Sequence, residues 1–171
     1  MARAFYLLYQ HIQLGAFPAK IVNTRFIMKK PLQILEEVQN EIEPFIGWQE
    51  KAQSDNTFSD YAQEVSKAAE VFQYAALLYP KFIKVEGFVV VAEHYTEDNW
   101  RAWRQKLDAR DTAQIMNHLH LEDFLYRDIW NVRKLEEHLG EMIACFWKMA
   151  VDQQFPDDNV CVEYNGDVIN I

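Results

Sequence analysis

Apolar residues recur along most of this chain at steps of three and four, the spacing of helices that bury one side. After Pro31, the residues Leu32, Leu35, Val38, Ile42 and Phe45 keep that spacing, with Glu36, Glu37, Glu41 and Glu43 on the outer side. Pro31 stands where a first-turn proline is tolerated, because that N–H would lack a helical partner anyway. Pro44 is expected to end or kink this helix, with Gly47 helping to close it. Beyond the polar loop Gln53 to Asn56, a second helix is predicted from about Phe58 to Tyr79. Phe58, Tyr61, Val65, Ala68, Phe72, Ala75 and Tyr79 alternate in threes and fours, as along a helix seam. Thr57 with Asp60 supplies its N-terminal cap and Pro80 its stop. Ala68, Ala69, Ala75 and Ala76 lack bulk, so a neighbouring helix can come close. The stripe suits a coiled-coil homodimer or a helix pair within one chain; one seam is too short to carry association alone, which favours the second.

The pattern changes between Lys81 and Tyr95. Ile83, Val85, Val89 and Val91 alternate with Phe82, Lys84, Phe88 and Val90, a β-branched stretch with a period of two. Glu86-Gly87 is either a tight hairpin turn or a bulge. Thr96 then caps a helix with Trp100, Trp103 and Leu107 on one face. Asp111 with Gln114 resembles a capping box for a short helix through Ile115, Met116 and Leu119. The last helix starts after Asp128 and runs to about Gln154, with Val132, Leu135, Leu139, Met142, Phe146 and Met149 as its stripe. Val160–Tyr164 and Val168–Ile171 flank Asn165-Gly166, a strong hairpin signal. The expected fold class is α+β: a mainly helical single domain with a small antiparallel sheet including a C-terminal β-hairpin. That hairpin is expected to pair with the Phe88–Val91 strand.

Length agrees with one domain, since 171 residues suffice for a core that needs no disulfides. Half of the residues are apolar and 14% aromatic, which argues against a disordered or low-complexity chain. No uninterrupted apolar run is long enough to span a bilayer. Charge divides the chain unevenly. Residues 1–27 carry Arg3, Lys20 and Arg25 and no acid, whereas the remainder carries 14 basic against 26 acidic residues, a balance of −12. Ala4, Leu7 or Leu8, His11 and Leu14 share one helical face in the basic segment. It reads as an organellar-type leader, as a helix packed on the body, or as translation from a start upstream of Met28-Lys29-Lys30. A loosely packed or non-native segment before a domain at 28–171 is the expectation. The acidic body repels nucleic acid and anionic membranes and attracts basic partners, although acidity also serves plain solubility. Cys145 and Cys161 form no C-x-x-C pair and read as two small buried apolar residues of a cytoplasmic protein.

Candidate chemistry is sparse. His118, His120 and Glu122 share one face if that stretch is extended, with Glu93 or His94 as further donors, and this cluster is the basis of a metal-dependent enzyme reading. The plainer reading is a corner between helices, with no metal and no cofactor, in which these side chains satisfy backbone groups. Trp100–Lys106 interleaves aromatics with cations, but its tryptophans share the inner face and its arginines the flank, unlike a base-stacking surface. Acid pairs at Glu36-Glu37, Glu97-Asp98, Glu122-Asp123, Glu136-Glu137 and Asp157-Asp158 diverge on helices and do not frame a general acid–base cleft. Nucleophile-elbow, phosphate-loop, dinucleotide and zincin motifs are missing. The composition therefore points to a small acidic binding protein, an inhibitor or immunity-type protein that neutralises a basic partner. Its candidate contact residues are Glu122, Asp123, Tyr126, Trp130, Glu136, Glu137 and Trp48, the aromatics as anchors and the acids as the charged rim.

Overall fold

The computed structural model describes residues 31–52, 57–121, 132–166 and 168–171. Residues 1–27, the loop Gln53–Asn56, the expected cap Asp128, and the candidates Glu122, Asp123, Tyr126 and Trp130 lie outside them. The described chain runs through α1 (Pro31–Val38), a 3-10 turn (Gln39–Glu41), α2 (Glu43–Ala52), α3 (Phe58–Val65) and α4 (Ala68–Leu78). Strands β1 (Phe82–Val85) and β2 (Phe88–Val91) follow, then α5 (Glu97–Arg104), α6 (Ala109–Asn117) and β3 (Leu119–His120). Helix α7 (Val132–Gln154) leads to β4 (Glu163–Tyr164) and β5 (Val168–Asn170). The fold is a mainly helical α+β domain with two small antiparallel sheets, β1-β2 and β3-β5-β4.

Strand β2 organises the core because both of its faces are covered. Val89 and Val91 join Phe82, Leu121, Ile143, Trp147, Val151 and Ile169 in the larger cluster. Val90 points the other way, into Trp100, Ala113 and Met116. Glu86 and Gly87 both have positive φ, 49° and 88°, so the ambiguous Glu86-Gly87 pair is a two-residue hairpin turn. Val85 faces Phe88 across it, as in turns whose twist matches that of the strands. The Trp100 indole N–H donates to Glu86 Oε1 at 3.0 Å, and Arg104 Nε donates to Oε2 at 3.2 Å. Those bonds hold a non-glycine residue in a left-handed conformation that it would otherwise avoid.

The C-terminal hairpin forms but docks elsewhere than expected. β5 pairs with β3, Leu119 opposite Ile169 and His120 opposite Val168, and among the described residues β2 receives no third strand. The reason is Asn117, fully buried, which occupies the β2 edge. Its Oδ1 accepts the Val91 N–H at 2.8 Å, and its Nδ2 donates to the Val89 carbonyl at 2.8 Å. One side-chain amide thereby replaces a strand. Within the hairpin, the Asn165 N–H meets the Val168 carbonyl at 3.1 Å and Gly166 takes φ 105°, so the turn sits one residue later than centred on Asn165-Gly166.

Three helices depart from their expected bounds. The first ends at Val38, and Ile42 is extended with φ −84° and ψ 92°. Pro44 does not close it; it lies in the first turn of α2, where a missing N–H is harmless, and Gly47 lies inside that helix. The Phe58–Tyr79 helix breaks at Ser66 and Lys67, both extended. The Glu70 carboxylate accepts the Lys67 N–H at 3.2 Å and starts a new helix. The expected Asp111–Gln114 box is displaced: Asp108 is the cap, its Oδ1 accepting the Asp111 N–H at 2.9 Å, and α6 ends at Asn117. The Thr57–Asp60 box and the Thr96 cap form as expected. Helix α7 binds the connector ahead of the hairpin: Trp147 Nε1 donates to the Leu77 carbonyl at 2.9 Å, and Gln154 Oε1 accepts the Phe82 N–H at 2.8 Å.

Candidate functional site

Helix α1 is rotated relative to its apolar pattern, and the rotation creates the candidate site. Ile34, not Leu32 or Leu35, is the residue it buries; Leu32 and Leu35 are 67% and 42% exposed. His138 of α7 reaches Glu37 Oε2 at 4.0 Å and Glu41 Oε2 at 3.7 Å, its two ring nitrogens facing two carboxylates. Ile34 and Glu37, three residues apart, share one face of α1, and Glu41 follows in the 3-10 turn; both contacts to His138 are longer than hydrogen bonds. The opposite face then presents Leu32, Leu35 and exposed Glu36.

The same contact brings sequence-predicted residues into place. Glu136 and Glu137 precede His138 on α7, Glu137 exposed and Glu136 half-buried. Trp48 is also half-buried, on α2, in a ring cluster with Phe45 and Tyr61 at 6.3 and 5.5 Å. Its indole N–H donates to Glu64 Oε2 at 3.0 Å, so one edge of this anchor is already committed to α3. Glu37, Glu41 and His138 were not singled out from the sequence; their convergence depends on how α1 packs against α7. Asp60 is held below the ordinary aspartate range by the Thr57 backbone N–H and, next, the Thr57 hydroxyl, so it stays charged on this side.

Charge density separates the two halves of the chain. Residues 31–80 hold nine acids against Lys51 and Lys67, a balance of −7. Residues 81–171 hold 17 acids against 10 basic residues, also −7 but over a longer stretch, and four of those cations pair locally. Lys84 meets Asp158 at 2.6 Å and Arg104 meets Glu86 at 3.2 Å, while Arg101 pairs with Glu97 and Lys148 with Asp152. The arginines of α5 are thus spent on neighbouring carboxylates, and Trp100 is buried.

The histidine cluster is only partly assembled. His118 and His120 share a face, their ring centroids 4.5 Å apart. His94 Nδ1 lies 2.8 Å from the Met116 carbonyl, a bond to backbone at the end of α6. Among the described residues no three His, Cys, Asp or Glu side chains converge to hold a metal ion. An open cleft of about 500 Å³ lies between the β1-β2 hairpin, α6 and residues 158–161, with Lys84, Arg110, Gln114 and Cys161 on its walls. Cys145 is buried as expected, but Cys161 is exposed. Partial desolvation, followed by the hydrogen bond to Glu163, pushes the Cys161 thiol up, and burial and Glu141 do the same to Cys145. Neither sulfur has the thiolate character of a nucleophile. Among the described residues no helix is long and apolar enough to cross a membrane. The chain matches no protein-family model, no curated protein and no solved structure.

Proposed function

We propose that this protein is a small cytoplasmic binding protein that neutralises a basic protein partner, in the manner of an inhibitor or immunity protein. The observation that carries the reading is α1. It turns Leu32 and Leu35 outward beside Glu36, within a fifty-residue stretch of net charge −7. Apolar anchors inside a charged rim are the anatomy of a protein interface. The acids accelerate encounter with a cationic surface, and the leucines supply contact that excludes water. Glu136 and Glu137, next to His138 on α7, are candidates for the charged rim, and Trp48 remains a candidate anchor. Glu122, Asp123, Tyr126 and Trp130 remain candidates on the segment that leads into α7. Two free thiols suit a reducing compartment.

The test is charge reversal at three exposed positions, Glu36→Lys, Glu50→Lys and Glu137→Lys, in the full chain. Proteins captured by the unmodified chain from its native lysate are identified and purified, and association rates are measured at low and high salt. The expected partner is basic. Its association rate falls steeply with salt and drops on the order of tenfold or more in the triple variant. A partner that is acidic, or one bound equally fast by the variant, overturns the reading. Leu35→Ser reads the apolar component, with faster dissociation expected and little change in association rate.

A further inference from the structure

The cleft between the β1-β2 hairpin, α6 and residues 158–161 combines apolar walls with an uncommitted cation. Its volume of about 500 Å³ is that of a small-molecule site, a hollow lined mainly by apolar groups with a few polar ones to fix orientation. Helix α6 builds one wall. Arg110, Ala113 and Gln114 stand three and four residues apart and so share one stripe of that helix, and all three line the cleft. Ala113 is buried while Arg110 and Gln114 are exposed, so a short side chain leaves a gap between two long polar ones. Val89, buried, and Val160, half-buried, add apolar surface to the lining.

The charged side chains of the cleft are not all balanced. Lys84 and Asp158, also on its walls, meet at 2.6 Å, each offsetting the other. Arg110 has no such partner: among the described residues no carboxylate and no hydrogen-bond acceptor engages its guanidinium. The arginines of α5, by contrast, each hold a glutamate. The position is also one that the helix itself disfavours. Arg110 lies in the first turn of α6, whose N-terminal end already carries partial positive charge, and Asp108, the acid at that end, directs Oδ1 to the Asp111 N–H. A cation held against the field of its own helix, unpaired and beside an apolar hollow, suits an anion brought from outside.

We propose that this cleft binds a small organic carboxylate with an apolar body, and that Arg110 receives the carboxylate. A planar guanidinium donates two parallel N–H bonds to such a group. The Gln114 amide flanks it on the same stripe, and the apolar body rests on Val89, Ala113 and Val160. One uncompensated guanidinium matches one negative charge. A phosphate group carries closer to two at neutral pH and would meet Asp158 in a chain of net charge −9. The inference does not rest on the acidic-face reading, since the cleft shares no residue with α1, α2 or the Glu136-Glu137 pair.

Titration of the full chain, followed through its amide resonances, tests it. The probes are benzoate, 4-methylvalerate and indole-3-acetate, each beside its neutral primary amide, with phenyl phosphate as a further anion. At least one carboxylate is expected to shift the Gly87, Ala113 and Asn159 resonances and to bind about tenfold more tightly than its amide. Arg110→Gln should remove that advantage and leave binding of the amide unchanged. Because Arg110 is exposed and unpaired, the Val90 and Ile143 resonances of the variant should stay in place. The proposal is overturned if no carboxylate shifts the cleft resonances, if acid and amide bind alike, or if Arg110→Gln keeps the preference. Tighter binding of phenyl phosphate than of every carboxylate would overturn it as well.

Discussion

Asn117 carries more of the fold than any other polar residue described. Buried completely, it satisfies one donor and one acceptor of β2, groups that no water can reach once α6 is in place. Asn117→Ala strands both. The expected loss is about 2–4 kcal/mol, read as a lower urea midpoint with an unchanged slope, together with faster exchange of the Val91 amide. Glu86 is the second such residue, and its effect depends on pH. The Trp100 indole N–H, the largest influence, holds its carboxyl below the ordinary glutamate range; desolvation, next in size, opposes it, and the weaker pull of Arg104 adds to the lowering. A lowered folded-state pKa means that the stabilisation is complete above the unfolded-state value and is lost as pH falls through the folded-state value. Stability of the wild-type chain should therefore decline on acidification through the carboxylate range, and Glu86→Gln should flatten that decline. Guanidinium unfolding at a series of acid pH values, followed by tryptophan emission, measures both.

At the scale of elements, close packing fixes where the C-terminal hairpin rests. A Cβ built on Gly140 would lie 2.3 Å from the Tyr164 ring, and the Tyr164 hydroxyl donates to the Glu136 carbonyl at 3.5 Å. Gly140→Ala should cost about 1–3 kcal/mol by forcing β4 off α7. In a double-mutant cycle with Tyr164→Ala the two losses should be less than additive. Local chemistry made some elements legible from residues alone: the Thr57 and Thr96 caps, the Asn165-Gly166 signal and the helical character of α7. The buried face of α7 nevertheless includes Trp147 and Val151, while Met149 of the expected stripe is 53% exposed, and Glu86-Gly87 on residues alone suits a turn or a bulge. What the pattern did not reveal was decided by distant partners. Asn117 comes from α6 to take the β2 edge, so the hairpin goes to β3. Helix α1 packs on α7 through Ile34, with Glu37 and Glu41 toward His138, and Leu32 and Leu35 are left exposed. The break before α4 was local but hidden, because Ser66 and Lys67 interrupt no apolar spacing and Glu70 looks like any surface acid. For the site, Glu136 and Glu137 were legible as an acid pair, while the α1 face depends on an inter-helix contact that no periodicity encodes.

Across the whole molecule burial is unequally shared, and the same net charge of −7 is spread over residues 31–80 and over the longer stretch 81–171, so it is denser in the first. The two core clusters draw their buried members from Phe82 onward, while α1 to α4 contribute Ile34 and Phe45 to the buried apolar set and hold a balance of −7 across residues 31–80. Regions with few buried contacts open first, and like charges favour opening until salt screens them. Native-state hydrogen exchange should find α1 to α4 opening at lower free energy than β2 and α7. Raising the salt should protect the first group more than the second. The occupied edge of β2 has a further consequence for the molecule in a crowded solution. Phe88-Val89-Val90-Val91 is an uncharged, strongly β-forming run, the kind of segment from which cross-β fibrils grow when a strand edge is bare. By answering that edge with an amide side chain, which has no next residue to extend the ladder, the protein ends the sheet where a neighbouring chain would otherwise begin to polymerise.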